Sequence, residues 1–380
     1  MKVLLVPSSF PTERAPWPGS YVHEYARCLT LQHDVTVVYP QQLGSLGVGG
    51  EPFFTEELLG PRLRLITYTY SHLPKSWVLS YLGGFRKVWR RFSREWRPDV
   101  VYAHVVMPAG LAALLLGRFL RVPVVLTEHW GPARDWLKDT SIPPRLQYET
   151  VARVYRKVDY LSAVSGSLAD EIREVFGAAA HGKLYNPIDC SLFRPGATEQ
   201  SPLKVLCVTR GRHDPRKGVP NLLAAWNIVS QRTGGSVRLD IVGPGTEELR
   251  PQVEAAGVAE TCRLLPWTPA PELAALVRSS ALVVIPSRYE TFARSGVEAM
   301  ASGVPVVATR CGGPSEYVEE GTGLLVPTDD PRALAEGILA GLLRENFLPP
   351  EELARRARGR FSYEAVCQSF TEVARSLTSA

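Results

Sequence analysis

Two α/β halves, each a parallel sheet wrapped by helices and each facing the other across a cleft, are what these 380 residues should form. The length is sufficient for two separate cores. Short apolar runs alternate with helical stretches from one end of the chain to the other, as parallel sheets covered on both faces require. Two such series meet at Phe193–Pro202, a segment with two prolines, a glycine and small polar residues that reads as a linker.

In the first series Val3–Pro7, Val35–Tyr39, Val100–Ala103, Val122–Thr127 and Tyr160–Val164 are short and apolar enough for buried strands. Helical spacing occupies Gly19–Leu31, Leu111–Leu120 and Leu146–Lys157 between them. The second series places strands at Lys204–Val208, Val237–Val242, Ala281–Ile285, Val304–Ala308 and Leu324–Val326, with helices near 219–231, 271–279 and 293–301. The expected division is therefore a Rossmann-like domain over 1–193, a second over 203–358, and a closing segment, 359–380, whose helix covers about Tyr363–Leu377.

Composition narrows the class. Hydrophobic residues make up 45% and charged residues 21%, a globular balance. The six cysteines are scattered, with no C-x-x-C pair and no histidines at zinc spacing, so reduced thiols in a cytoplasmic protein are expected and no metal. Met1–Val6 is too short for a signal sequence and suits a first strand. Val100–Gly117 is free of charge but carries His104, Pro108 and Gly110, which make it a strand, a loop and a helix start rather than a membrane span. The net charge of +5 is uneven: residues 1–190 hold 22 Lys and Arg against 17 Asp and Glu, and the remainder is balanced at 21 each. The excess positive charge belongs to the first half and points to an anionic partner there.

The most informative stretch is PSRYETFARSGVEAMASGVPVVATRCGG over 286–313. It sets Glu290 and Glu298 eight positions apart on a turn that runs into a short helix, followed by a strand and a glycine exit. On a continuous helix the two backbones would stand about 12 Å apart. Glycosidase pairs need about 5–5.5 Å or roughly 6.5–9.5 Å, so two separate duties on one extended ligand fit better. Upstream, GRHDPRKG over 211–218 follows a strand and flanks a tight polar loop with Arg212 and Lys217, a planar fork and a mobile point charge suited to a diphosphate. Arg216 is a further cation without an evident duty. Gly243, in Val-Gly-Pro-Gly over 242–245, lets backbone come close to a flat ring or ribose. In the first half, Pro16–Ser20 ends at a helix N-terminus suited to a phosphate, with Ser20 equally readable as its N-cap.

The 286–316 stretch resembles the retaining glycosyltransferases of family 4, whose signature is Glu, seven residues, Glu. The resemblance extends over nearly the whole chain and is densest at 204–327. It implies the GT-B fold, a terminal helix crossing back onto the first domain, and metal-independent transfer with retention; no Asp-x-Asp triplet occurs to hold a divalent ion. It further implies that Arg212 and Lys217 hold the donor diphosphate, Glu298 the ribose hydroxyls and Glu290 hydroxyls of the donor sugar. Backbone amides of the turn with Phe292, Ala293 and Arg294 would approach that sugar. Gly243 would line the base, with Arg263–Trp267 near it or Trp267 in the core. In the first domain Gly19 matches the close-approach glycine, without its usual paired glycine, and His104, in DVVYAH over 99–104, a donor-sugar contact. Glu128 and His129 are either acceptor-side residues or a hydrogen-bonded structural pair, and Asn186–Asp189 a structural turn. Thr291 and Ala293 depart from the family, where many members have glycine.

The function implied is a hexosyltransferase moving a sugar from a UDP- or GDP-sugar to a glycan or lipid-linked acceptor, as in cell-envelope polysaccharide synthesis. The nucleotide-sugar is then a substrate, not a cofactor. A nucleotide-sugar epimerase of the same fold and a non-catalytic nucleotide-sugar-binding subunit are the alternatives. A dinucleotide-binding G-x-G-x-x-G is missing after the first strand, and no nucleic-acid motif is present. One feature stands outside this set. Over 76–97 an aromatic stripe (Tyr81, Phe85, Trp89, Phe92, Trp96) lies opposite a row of arginines, either a peripheral membrane helix on an anionic surface or the core face of an ordinary one.

Overall fold

The computed structural model describes residues 1–11, 18–42, 53–70, 77–92, 96–131, 143–196, 203–209, 214–344 and 346–379. The chain divides into two compact units, Met1–Pro187 with Tyr363–Ala380, and Ile188–Ser362.

The first unit begins β1 (Lys2–Pro7), α1 (Ser20–Leu29), β2 (Asp34–Gln42), β3 (Phe53–Gly60), β4 (Leu63–Tyr70) and α2 (Trp77–Phe92). It continues β5 (Val100–His104), α3 (Leu111–Leu120), β6 (Val124–Glu128), α4 (Pro144–Lys157), β7 (Tyr160–Ala163), α5 (Gly166–Phe176) and β8 (Gly182–Lys183). The sheet order is β3-β4-β2-β1-β5-β6-β7-β8. All pairs are parallel except β3–β4. The second unit runs β9 (Lys204–Val208), α6 (Val219–Arg232), β10 (Arg238–Val242), α7 (Arg250–Ala255), β11 (Cys262–Leu265), α8 (Ala270–Arg278) and β12 (Leu282–Ile285). Then come α9 (Arg294–Ala301), β13 (Val306–Thr309), β14 (Gly323–Val326), α10 (Pro331–Leu343) and α11 (Pro350–Phe361). Its sheet, β11-β10-β9-β12-β13-β14, is parallel throughout. The closing helix α12 (Tyr363–Thr378) belongs to the first unit.

Strands buried on both faces account for the continuous apolar runs: every residue of β5, β6, β12 and β13 is buried. Each unit has its own core. Trp226, Leu222 and Leu239 sit in one, and Tyr25, Tyr102 and Phe370 in the other. In each sheet the strand order reverses beside the first strand of the unit, between β1 and β5 and between β9 and β12. Loops leaving the carboxyl ends of such neighbours diverge, and the crevice they leave is where open α/β sheets take ligands.

One expectation changes, and one pair of alternatives meets the structure. The all-parallel first sheet carries an antiparallel edge pair, β3–β4, ahead of α2. The aromatic stripe of α2 is a core face: Tyr81, Phe85, Val88 and Trp89 are buried, and the Tyr81 hydroxyl donates to the Pro7 carbonyl at 2.7 Å. On these residues the apolar face is occupied by packing, the second of the two readings; Arg86, Lys87 and Arg90 are exposed. Among the described residues no helix is long and apolar enough to cross a membrane.

Candidate functional site

In the second unit the loops leaving β9 and β12 lie against each other at the strand-order reversal. Arg212 and its neighbours 210, 211 and 213 fall outside the described residues. The loop resumes at Asp214, whose side chain caps the single turn Pro215–Lys217 by accepting from the Arg216 amide at 3.1 Å. The Arg216 guanidinium closes on the same carboxylate at 2.9 and 3.1 Å. Burial works against the Asp214 charge, but Arg216 outweighs it and holds the carboxyl below its ordinary range. Arg216 thus has a duty: it fixes the loop that carries Lys217, and its carbonyl accepts from the Arg288 amide at 2.7 Å. Gly218 follows at φ 65°, where a β-carbon would meet the Pro286 carbonyl oxygen at 2.0 Å. Only glycine satisfies both that dihedral and that contact.

Lys217 reaches across to Glu290, Nζ to Oε1 at 2.6 Å, and the Ser287 hydroxyl donates to the same oxygen at 2.8 Å. The Glu290 backbone is pinned to the exit of β13, its amide donating to the Cys311 carbonyl at 2.8 Å and its carbonyl accepting from Gly313 at 2.7 Å. Gly313 permits this approach, since a β-carbon there would lie 2.4 Å from the Phe292 backbone. Phe292 itself is buried against Tyr317 and Phe361. Its side chain anchors the turn in the core, so the peptide group is what it can offer a ligand.

Ala293 then takes a left-handed conformation and opens α9 without a side-chain cap. One turn on, Arg294 donates to Glu298 at 3.1 Å, both largely buried. Neither glutamate is a solvated helix residue or a helix cap. At the β10 exit Gly243 stands at φ 148°, where a β-carbon would lie 1.7 Å from the Thr209 carbonyl oxygen. Arg263, expected near a base, is engaged with the buried Asp240 carboxylate at 2.6 and 3.0 Å. Trp267 is partly exposed rather than a core aromatic.

In the first unit Gly19, not Ser20, is the N-cap of α1, at φ 71°, and a β-carbon on it would meet the Ser9 carbonyl oxygen at 2.3 Å. His104 ends β5 fully buried, its Nδ1 2.8 Å from His129 Nε2 and its ring between Tyr25 and Tyr102. Burial first and the His129 charge second push its pKa well below the ordinary value, so it is neutral. The next residue, Val105, sits at φ 76°, ψ 131°, a conformation rare for a β-branched side chain and of the kind that collects at functional sites. Glu128 is what holds it there. Its buried carboxylate accepts from the amides of Val106, His129 and Trp130 at 2.9, 3.0 and 3.0 Å, and from the Tyr155 hydroxyl at 2.8 Å. Desolvation raises the carboxyl above its ordinary range against the pull of these donors. Glu128 organises two loops, while His129 partners His104. Asn186 is buried, and the Asp189 side chain caps its own turn through Ser191.

Comparison with known proteins agrees with this architecture. The chain matches the model of Glycosyltransferase Family 4 over residues 19–192 and that of Glycosyl transferases group 1 over 202–343. Sucrose-phosphate synthase from Thermosynechococcus elongatus shares the fold with a TM-score of 0.79 at 19% identity, over 100% of this chain and 99% of that one. Anabaena HepE, in complex with UDP and glucose, does so with a TM-score of 0.71 at 19% identity, over 99% and 100%. The chain is a glycosyltransferase of the GT-B type. By sequence it is 29% identical to the glycogen synthase of Mycobacterium tuberculosis over 98% of this chain and 94% of that protein. It is 32% identical to a D-inositol 3-phosphate glycosyltransferase of Segniliparus rotundus over 71% and 64%. Sugar transfer from a nucleotide-sugar donor is the activity these relationships define.

Proposed function

We propose that the second unit binds the donor, a UDP- or GDP-hexose, and that the enzyme transfers the hexosyl group with retention and without a metal ion to a glycan or lipid-linked acceptor. The observation that carries this is the Lys217–Glu290 ion pair, held at the strand-order reversal beside the uncapped N-terminus of α9. In the transfer the bond between the anomeric carbon and the diphosphate oxygen breaks, the diphosphate leaves with the electron pair, and the acceptor hydroxyl forms the new glycosidic bond as its proton passes to the leaving diphosphate. Charge develops on the diphosphate. Lys217 and the amide end of α9 receive it, in preorganised positions where such groups contribute most, and Arg212 is the second cation assigned to it. Glu298, steadied by Arg294, takes the ribose hydroxyls; Glu290 takes hydroxyls of the sugar. His104, neutral and buried, is suited to a hydrogen bond with that sugar rather than to charge, and Gly19 to the backbone approach of an anionic group. Gly243 lines the base.

Support for donor and acceptor comes from relatives. Anabaena HepE is seen with UDP-glucose, and a trehalose-phosphate synthase of Burkholderia xenovorans with glucose-6-phosphate. An acceptor in envelope polysaccharide synthesis and a cytoplasmic site of action belong to the same proposal. The test is thermal stabilisation of the purified protein by UDP, GDP, ADP and their sugar conjugates, with Glu298→Ala and Lys217→Ala alongside. Ligand at 100 times its Kd stabilises the folded state by about 2.7 kcal/mol. A shift for one base that both variants lose is expected. A folded protein indifferent to every nucleotide would sink the proposal.

A further inference from the structure

The turn that opens α9 is strained by its own sequence. Ala293 stands at φ 61°, ψ 73°, a left-handed conformation that costs a residue with a β-carbon roughly 1–2 kcal/mol. From within the segment the Gly296 amide, 3.1 Å from the Ala293 carbonyl, closes this turn. From outside it, the Tyr317 hydroxyl donates to the same carbonyl at 2.8 Å.

The place for that tyrosine is prepared. A β-carbon on Gly296 would lie 2.3 Å from the Tyr317 hydroxyl oxygen and 2.7 and 2.8 Å from ring carbons, so the glycine is the space the ring occupies. The ring is 1% exposed and stands edge-on to Phe292 and Phe361, with centroids at 5.8 and 6.3 Å. Burial, then the neighbouring Glu290, keeps the phenol protonated, as a donor must be.

We propose that Tyr317 is a positioning residue of the donor site: its hydroxyl clamps the left-handed turn at Ala293 and so holds the peptide groups of 291–294 in place for the donor sugar. This rests on the donor-site reading above. The clamp answers the presence of alanine at a position where glycine would need no external hold. Tyr317 touches no reacting atom and acts through the turn.

Three proteins test it beside the parent chain: Tyr317→Phe, Ala293→Gly and the two combined. Tyr317→Phe keeps the ring and its packing, so its melting temperature should fall by no more than about 4 °C. Amide hydrogen exchange over 290–298 without ligand should quicken in Tyr317→Phe. The affinity for UDP-glucose, ADP-glucose or GDP-mannose, whichever the parent binds, should fall about tenfold, the worth of one well-placed hydrogen bond. Affinity for the matching nucleoside diphosphate should stay within about threefold, since Lys217 still holds it. In the Ala293→Gly background the tenfold loss should shrink to about threefold or less, because the two changes act on one turn. Equal losses in both backgrounds, or exchange that does not change, would make Tyr317 an ordinary core residue and overturn the inference. If Tyr317→Phe does not fold, Gly296→Ala, which displaces the ring instead, should give the same exchange and affinity pattern; a Gly296→Ala protein with parental exchange overturns it equally. A parent protein that binds none of these sugars defeats the donor-site reading, while the exchange measurement judges the clamp independently.

Discussion

Lys217 and Glu290 share one oxygen contact at 2.6 Å, with 24% and 11% of their side chains exposed. Such a pair is preorganised: the cation is already desolvated and needs no reordering when a phosphate arrives. Lys217→Met should therefore lower kcat/KM by about 10²–10³, the usual loss for one preorganised donor to a developing anion. Steady-state transfer kinetics check this; a loss confined to KM would show that Lys217 only binds. His104 gives a second expectation at this scale. Its folded pKa lies below the ordinary value, so above about pH 6.5 the residue is neutral in both states and costs nothing. As pH falls below that value the unfolded chain takes up a proton that the folded one refuses, and stability drops by up to about 1.4 kcal/mol per pH unit. Glu128, with a raised pKa, acts in the opposite sense, so the His104 part is read as a difference. Melting curves between pH 7.5 and 5 should be steeper for the parent than for His104→Asn, and parallel curves would refute it. Glu290, Glu298 and Lys217 came forward in the sequence through the resemblance of the surrounding stretch to a family signature, and the structure sets Lys217 against Glu290 and Glu298 against Arg294. The Tyr317 clamp was not legible there, since it joins residues 24 apart in sequence through a hydrogen bond. Glu128 was singled out beside His129, but its hold on two loops was not legible, because its four donors come from three different segments.

Among the elements, α2 shows how an amphipathic pattern leaves two readings open. Aromatics opposite arginines satisfy both a bilayer and a sheet, and periodicity cannot choose between them. The neighbouring strands chose: β2 and β4 need a cover, and Phe85, Val88 and Trp89 supply it. Trp89→Ala should cost about 3–5 kcal/mol, as large-to-small changes of buried aromatics do. Arg90→Glu should stay within about 0.5 kcal/mol, as an exposed substitution does. Chemical denaturation of both variants distinguishes a core face from a free one, and comparable effects would reverse the assignment. Elsewhere the β1, β5, β9 and β12 strands were plain in the sequence because burial on both faces makes their runs apolar without interruption. The β3–β4 pair escaped notice because Phe53–Gly60 is exposed on both faces, with Glu56 on one and Glu57 on the other, and such edge strands lack that signature. The first helix start was legible, but of its two readings the Ser20 cap gives way to Gly19, because a glycine cap is chosen for a backbone approach that only the fold reveals.

At the scale of the whole molecule the chain leaves its first unit at Pro187 and returns to it at Tyr363, so Ile188–Ser362 is continuous and the first unit is not. The returning helix α12 is part of the first core rather than an appendage. Phe370 is fully buried and stacks on Tyr102 at 4.6 Å, His33 Nε2 lies 2.8 Å from the Thr371 hydroxyl, and the Cys28 thiol donates to the Tyr363 carbonyl at 3.1 Å. Val366 and Phe370 alone bury enough apolar surface to contribute roughly 3–6 kcal/mol at about 1.5–3 each. That is a large share of the 5–15 kcal/mol, roughly, by which a domain is stable. A fragment of residues 1–187 should therefore fail to fold cooperatively, with Val22, Tyr25, Leu29 and Tyr102 uncovered. Joining 363–380 to it through a short flexible linker should restore a cooperative melt. The fragment 188–362 has an uninterrupted core of its own, and should melt cooperatively when expressed alone and still be stabilised by the nucleoside diphosphate that stabilises the parent. Circular dichroism melts of the three fragments decide it. A cooperative 1–187 fragment would show that α12 only decorates the first unit, and a 188–362 fragment that folds but ignores the nucleotide would move the determinants of diphosphate binding out of the second unit.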